Sequence, residues 1–203
     1  MARIRFYLGT PVAFPGQKPL RPLMLDGILG YAWAVKKGLL KTPAEVHPDN
    51  LVFPELPLEK IGPRCYAASA MFVPKEAAFY PTLVVRRADW RSAMARHGLT
   101  STRYETASGW QQACREPYWL LSTPHIDFYC RGDHAGITDL LHVVLQLRFL
   151  GAKRAAGYGL IRRIEYAESA EDWSVWRDGQ PTRPVPVEIA GDRPGLAREW
   201  TTY

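Results

Sequence analysis

The chain has 203 residues, with 26 lysines and arginines against 20 acidic residues and a formal net charge of +6. The length suits one domain with insertions or two small domains, and an apolar fraction of 47% excludes a wholly disordered chain. The positive surplus favours a polyanionic partner, and 19 of the 26 cations are arginine, which binds phosphates and stacks on bases, although a GC-rich genome explains the arginine excess equally well.

The cysteines and the N-terminus exclude several other classes. Cys65, Cys114 and Cys130 lie far apart and form no CxxC motif, so we expect neither a structural zinc site nor a disulfide framework. The first residues lack the apolar core of a signal peptide, and no apolar run approaches the roughly 18 residues of a membrane span. We therefore expect a cytoplasmic protein with no membrane contact, no metal and no cofactor.

The first predicted element is a strand over residues 3–8, because apolar and polar residues alternate strictly there. The residues expected to face the core are Ile4, Phe6 and Leu8. The opposite face carries Arg3 and Arg5, which predict either an RNA-facing surface or an ordinary solvated sheet face.

A helix is predicted from Leu25 to Gly38, after a loop rich in proline and glycine. Gly27 and Gly30 lower its helix propensity, so we expect them to permit close packing on a sheet. Asp26 lies in the first turn, where the helix dipole favours an anion, and we expect a structural role for it.

The middle of the chain predicts short strands and two irregular segments. Residues 41–63 contain five prolines and form an irregular connection, and residues 88–117 are the least legible, with a short helix suggested at 90–97. The strand candidates are 66–73, 82–87, 119–122 and 126–130.

The last third predicts a second helix over residues 137–150, with Gly151 as its C′ residue, and a strand over 158–166. The tail has an Asp178-Gly179 turn between prolines, which is typical of an edge hairpin. The element order predicts an α+β, ferredoxin-like (RRM-like) β-α-β-β-α-β core. That core would span residues 1–170, with insertions at about 39–64 and 88–117, and a β-hairpin-like C-terminal extension, residues 171–203, would pack on the same domain.

The segment with the clearest chemistry is the loop between the second helix and the last strand, residues 151–159. Its glycines allow positive φ, so that backbone amides converge on an anion, while Lys153 and Arg154 add charge and Tyr158 offers a stacking ring. It is not a P-loop, because no lysine follows its second glycine. It is not a dinucleotide fingerprint either, because Arg162 stands where that motif needs glycine.

Three segments together resemble the CRISPR RAMP superfamily. The loop GAKRAAGYG is similar to the glycine-rich loop of those proteins, and LDGILGYA at 25–32 resembles the first-helix signature of RAMP-type subunits in type IV complexes. The tail over 172–186 is similar to the same group, and the best match is the Csf-family subunit that binds the crRNA 5′ handle and caps the backbone filament. Ala155 and Ala156 make this loop stiffer than related loops, which are richer in glycine and serine.

The resemblance implies a non-catalytic, RNA-binding subunit of a type IV effector complex that takes part in crRNA-guided DNA targeting for antiviral or anti-plasmid defence. Its partners would be the crRNA 5′ handle, the large subunit and the backbone subunit; a contact with target DNA near the PAM stays open. The residues expected to contact RNA, from the resemblance and from the residue types together, are Gly151, Lys153, Arg154, Gly157, Tyr158, Gly159, Arg162, Arg3, Arg5 and Trp110.

Two other functions fit parts of the sequence. The main alternative is a RAMP-type crRNA-processing endoribonuclease, but none of the five histidines forms an acid–base pair by local spacing, and His97 with Tyr104 is only a speculative pair. A metal nuclease would need converging carboxylates, which Asp127 and Asp133 do not supply. Seven tryptophans and ten tyrosines would also suit a protein–protein scaffold.

Overall fold

A computed structural model describes residues 1–16, 21–39, 54–63, 65–86 and 114–190. The predicted helix at 90–97 and most of the predicted 88–117 insertion lie outside these residues. The strands are β1 (Ala2–Leu8), β2 (Val12–Pro15), β3 (Lys60–Gly62), β4 (Cys65–Tyr66), β5 (Ala78–Arg86), β6 (Cys114–Ser122), β7 (His125–Cys130), β8 (Ile161–Glu168), β9 (Trp176–Arg177) and β10 (Gln180–Pro181). The helices are α1 (Leu25–Lys36), α2 (His134–Leu147) and α3 (Val187–Ala190).

The protein has a mixed α+β architecture in which the main sheet has the antiparallel order β7-β1-β8. On β1, Ile4 pairs with Phe128 of β7 and with Tyr166 of β8. Isolated bridges from Ala68 to Cys130 and from Phe72 to Asp127 lay the segment after β4 along the outer edge of β7. The predicted strand at 66–73 is thus a chain of single bridges rather than a continuous ladder.

Both long helices cover one face of this sheet, because each presents an apolar stripe to the inward side chains of β1 and β7. The fully buried residues at this contact include Ile4, Phe6, Leu25, Leu29, Ile126, Phe128 and Ile137. Lys36 and Asp139 form an ion pair between the two helices. No helix in the described part of the chain is long and apolar enough to cross a membrane.

A second antiparallel sheet has the order β2-β6-β5. Strands β5 and β6 form a long ribbon whose pairing runs from Ala78 opposite Ser122 to Arg86 opposite Cys114. Val12 of β2 pairs with Leu121 of β6, which places the ribbon beside the short connection between β1 and β2.

The end of α2 differs from the sequence prediction. The helix begins at His134, where the Asp133 side chain accepts a hydrogen bond from the Gly136 amide at 2.8 Å, and it ends at Leu147, three residues early. Arg148, not Gly151, takes the left-handed conformation at its end, with φ of 65°. The prediction of Gly151 as the C′ residue was wrong, because Phe149 leaves the helix to bridge Leu160.

The two α1 glycines do not pack on a sheet, which corrects the prediction for them. A Cβ on Gly30 would lie 3.4 Å from Pro54, so this glycine faces the segment that precedes β3. A Cβ on Gly27 would meet only the Met24 side chain, at 3.9 Å. Asp26 has the structural role expected of it, since its carboxylate lies 2.7 Å from the Arg183 guanidinium and both side chains are largely buried.

The residues after β8 contact the domain at several points. The predicted turn at Asp178 and Gly179 joins β9 to β10, with both residues at positive φ. The Trp173 ring lies 4.9 Å from that of Tyr129 on β7. Arg183 donates hydrogen bonds to the carbonyls of Tyr66 and Ala68, at 3.1 and 2.8 Å. Residues 191–203 lie outside the described part.

Candidate nucleic-acid interface

The loop at 151–159 is anchored at both of its ends. The Leu150 amide donates to the Gly159 carbonyl at 2.8 Å, and the Gly159 amide donates to the Pro11 carbonyl at 2.8 Å. The Thr10 hydroxyl donates to the Gly157 carbonyl at 2.7 Å and accepts from the Leu160 amide at 2.9 Å. The connection between β1 and β2 therefore holds the loop in one position.

Two of the loop glycines have different roles. Both have positive φ, 84° at Gly157 and 74° at Gly159, which an L side chain rarely adopts. A Cβ on Gly159 would lie 1.9 Å from the Leu150 carbonyl oxygen, whereas a Cβ on Gly157 would meet nothing within 4 Å. Gly159 is thus required by the protein's own backbone, and Gly157 leaves open space on the outer side of the loop.

Four of the nine amides of the loop donate hydrogen bonds to backbone carbonyls of the protein, which narrows the predicted anion cradle. Besides the anchoring bonds, the amides of Ala152, Ala156 and Gly157 donate to backbone carbonyls. The amides of Lys153 and Arg154, which open the short 3-10 turn Arg154–Ala156, have no backbone partner among the described residues.

Lys153 is held by an acidic neighbour. Its ammonium lies 2.8 Å from a carboxylate oxygen of Glu116 on β6 and 5.0 Å from the centre of the Tyr118 ring. The hydrogen bond to Glu116 raises the pKa of Lys153 above its ordinary value. Lys153 is therefore charged but locally balanced, and it fastens the loop to the β5–β6 ribbon.

Three arginines around the loop have no such partner. Arg148, Arg154 and Arg162 are exposed, and none forms a salt bridge within the described part of the chain. The Arg154 guanidinium lies 5.1 Å from the centre of the Tyr31 ring of α1. Arg162 crosses over Gly9, where a Cβ would lie 2.9 Å from its Nε atom.

Six other arginines of the described part of the chain have acidic partners. Their ion pairs are Arg3–Glu165 (3.5 Å), Arg5–Asp127 (2.7 Å), Arg131–Glu59 (3.1 Å), Arg163–Glu165 (3.9 Å), Arg177–Asp178 (3.6 Å) and Arg183–Asp26 (2.7 Å). Within the described residues, the three arginines that lack an acidic partner thus lie where α2 ends, where the loop turns and where β8 begins.

On the outer face of the main sheet, Arg3 and Arg5 each form an ion pair with an acidic side chain. Arg5 makes two 2.7 Å hydrogen bonds to Asp127, and this contact raises the Arg5 pKa further above its ordinary value. The Tyr7 hydroxyl donates to Glu165 at 2.9 Å, and Glu165 also pairs with Arg3. An incoming phosphate would compete with these carboxylates on this face.

Two depressions flank the loop. One, of about 490 Å³, lies between α1, β2 and the segment that leads into the loop, with Arg154 and Tyr31 in its lining. The other, of about 730 Å³, lies between the last turn of α2 and the start of β8, and both Arg148 and Arg162 line it. The loop separates two grooves, each with at least one arginine that lacks an acidic partner among the described residues.

The remaining predicted site residues fall elsewhere. Tyr158 is half-buried and packs against the small cluster around Tyr118 and Leu120, so its ring supports the loop. Trp110, like the pair His97 and Tyr104, lies outside the described residues. Gly151 has φ of 74°, and a Cβ on it would lie 2.8 Å from the Ala13 carbonyl oxygen, so this glycine lets the loop pack closely against β2.

Sequence reasoning missed Arg148 and Tyr31. The predicted helix includes Arg148. The signal for a helix end there was a charged residue next to Phe149, after a helix of 14 residues. Tyr31 lies four residues after Gly27, hence on the same helix face. A helix face that combines a glycine with an exposed aromatic side chain is unsuited to packing in the core. This combination was the signal by which the sequence could have identified Tyr31.

Groups that would carry hydrolytic chemistry are sparse in the described part of the chain. No three histidine, cysteine or acidic side chains cluster there in a way that could hold a metal ion. His125 lies next to Tyr7, with ring centres 6.2 Å apart, and His134 packs edge-on against Tyr166. The pair of His125 and Tyr7 is brought together by strand pairing and has no local sequence signal.

The model of the family described as CRISPR type IV associated protein Csf3 matches residues 2–194. None of the curated proteins is a significant match to the chain.

Proposed function

Because the chain belongs to the family of the CRISPR type IV associated protein Csf3, we propose that it is the RNA-binding subunit of a type IV ribonucleoprotein effector complex. It grips the crRNA 5′ handle and caps the backbone filament, without cleaving RNA itself. In this role it contributes to crRNA-guided DNA targeting.

The core of the subunit is, in this proposal, ferredoxin-like. The order of four neighbouring segments supports this fold: the bridged segment after β4, then β7, β1 and β8. Each segment is antiparallel to its neighbour. With α1 after β1 and α2 after β7, this order is that of a split β-α-β-β-α-β sheet. The same plan serves many functions, so the function rests on the site and not on the fold.

One observation carries the RNA-binding role: the separation of paired from unpaired arginines. A guanidinium that already contacts a carboxylate gains less from a phosphate than an unpaired one does, because the first contact must be exchanged for the second. Arg148, Arg154 and Arg162 bear no such cost among the described residues, and each can form a bidentate contact with a phosphate. Their position on both sides of one anchored loop suits a single-stranded backbone that passes over it.

Contacts with neighbouring subunits are proposed for the β5–β6 ribbon. Phe79, Tyr80 and Leu83 on β5 are all exposed, Leu83 by 58%. Exposed apolar side chains that cluster on one strand are typical of protein–protein contact sites. The backbone and large subunits are the partners that the family assignment suggests.

The test is a salt titration of affinity for repeat-derived handle RNA. Each lost phosphate contact flattens the log–log salt dependence by about 0.7, so alanine at all three unpaired arginines should flatten it by about 2.1. Affinity for an unrelated RNA of equal length should fall in parallel, since phosphate contacts do not read sequence.

A charge-matched control removes the same three positive charges elsewhere. Alanine at Arg3, Arg163 and Arg177, whose guanidinium groups lie 3.5 to 3.9 Å from the carboxylates of Glu165 and Asp178, should change the slope less. If the two triple variants lose the same slope, net charge and not the loop explains binding. If the wild type binds no RNA within its complex, the proposed function is wrong.

A further inference from the structure

The depression of about 490 Å³ beside α1, hereafter the α1 pocket, has mostly apolar walls. The side chains that form these walls include Phe14, Leu23, Met24, Ile28, Leu147 and Phe149. Its volume falls in the range of about 300–1,000 Å³ that is usual for small-molecule and nucleotide sites. None of the described residues that line it is acidic.

Gly27 helps to create this volume. It lies within α1 and lines the pocket, and a Cβ there would meet nothing closer than Met24, at 3.9 Å. Glycine weakens a helix, and here no tight contact with a neighbour requires it. The missing side chain leaves space inside the pocket.

Tyr31 and Arg154 stand together at the pocket. Tyr31 is 36% exposed, a high value for a large aromatic side chain, and the Arg154 guanidinium lies 5.1 Å from the centre of its ring. Arg21 also belongs to the lining. The pocket thus joins an apolar interior to an aromatic face and two cations.

We infer that the α1 pocket receives one nucleobase of the bound RNA strand, turned out of the strand, while Arg154 holds the adjacent phosphate. This inference rests on the proposed function and adds a base-binding site to it. A base needs a flat apolar surface and an aromatic face to stack on, and its phosphate needs a cation nearby. A buried side chain of a partner protein would use the apolar walls but not the cations.

The occupant is recognised mainly by shape and stacking. The lining offers aliphatic and aromatic surface and few polar side chains, so the base edge is not read by a set of hydrogen bonds. The pocket should accept more than one base, with the greatest affinity for those that stack best.

The experiment uses handle RNA in which 2-aminopurine replaces one nucleotide at a time. Bound to the wild-type protein in its complex, one position should show a fluorescence change that marks its burial against Tyr31. Gly27→Leu, which fills the pocket, should abolish the change at that position. Gly27→Ala, which adds only a methyl group, should reduce the change less than Gly27→Leu does.

Affinity provides the second readout. Gly27→Leu and Tyr31→Ala should each weaken RNA binding by about 5- to 150-fold, the range for loss of one base stack. Because neither residue is charged, the salt slope should stay that of the wild type. Tyr31 is exposed, so Tyr31→Ala tests the site even if Gly27→Leu does not fold.

The two proposals fail differently. If no position responds, or if both variants bind RNA as tightly as the wild type while the arginine variants behave as expected, only the base pocket is wrong. If Gly27→Leu instead releases a neighbouring subunit and leaves RNA binding unchanged, the pocket takes a protein side chain and the inference is overturned. Absence of RNA binding by the wild type would contradict the proposed function itself.

Discussion

Replacing Glu116 by glutamine should strengthen RNA binding, because this carboxylate occupies Lys153 at the edge of the loop. The Lys153 ammonium lies 2.8 Å from Glu116, and the Tyr118 hydroxyl also donates to that carboxylate, at 3.2 Å. Glutamine keeps the shape of the side chain and removes its negative charge. Lys153 then becomes free to contact a phosphate.

The expected size follows from counting phosphate contacts. With three unpaired arginines in contact, the log–log salt slope of the wild type includes about 2.1 from this region. A freed Lys153 adds about 0.7 to this slope. The gain in affinity of Glu116→Gln over the wild type should therefore be roughly fivefold greater at 0.1 M salt than at 1 M. The gain should be largest at low ionic strength and should disappear in high salt.

The assay is a double-mutant cycle built on salt titrations of handle-RNA affinity. Lys153→Ala is made both in the wild type and in Glu116→Gln. In the wild type it should flatten the slope by less than Arg154→Ala does, because Lys153 is partly neutralised before RNA binds. In the Glu116→Gln background it should flatten the slope by the full value of about 0.7.

Two results would contradict this prediction: Glu116→Gln binds RNA with an unchanged slope and affinity, or Lys153→Ala has the same effect in both backgrounds. Either result would mean that Glu116 and the RNA phosphate do not compete for Lys153. A weaker Glu116→Gln protein would show that the ion pair positions the loop for binding.

Three further predictions concern the glycines, a buried thiol and catalysis. Gly157→Ala should lower the free energy of unfolding by about 1–2 kcal/mol, from its positive φ alone. Gly159→Ala should lower it by at least about 2 kcal/mol more, because its Cβ displaces the Leu150 carbonyl. Equal losses for the two variants in urea unfolding would contradict this. Burial raises the pKa of Cys130 from 9.0 to about 12. Above pH 9 the native state therefore retains a proton that the unfolded chain loses. The free energy of unfolding should fall by about 1.4 kcal/mol per pH unit between pH 9 and pH 12. Cys130→Ala should remove that part of the decline, and identical pH profiles would show that the thiol is accessible. Purified protein should leave repeat RNA intact, and site-specific cleavage that His125→Ala abolishes would establish a ribonuclease instead.

The elements that the sequence predicts well are those with a strong local period. Strict alternation predicts β1, and the 3.6-residue period predicts α1 and α2, because burial on one side imposes each pattern. The ends were less predictable. Arg148 ends α2 in a left-handed conformation since Phe149 bridges Leu160, a contact that no local pattern encodes.

The position of the loop was predictable from the sequence, whereas its charge balance was not. Two cations between glycines marked the loop, and it lies between α2 and β8, as the order of elements predicts. However, Lys153 pairs with a residue 37 positions away, and Arg5 with one 122 positions away. Such pairs depend on strand order, so the sequence alone cannot tell a free arginine from a paired one.

The central claim is that the unpaired arginines and their loop hold the crRNA handle. Ultraviolet crosslinking of the native complex, followed by mass spectrometry of peptides from this chain, tests it most directly. We predict that handle nucleotides crosslink within residues 148–162 and at Tyr31. Crosslinks confined to the outer sheet face around Arg5, with none in the loop, would contradict the account.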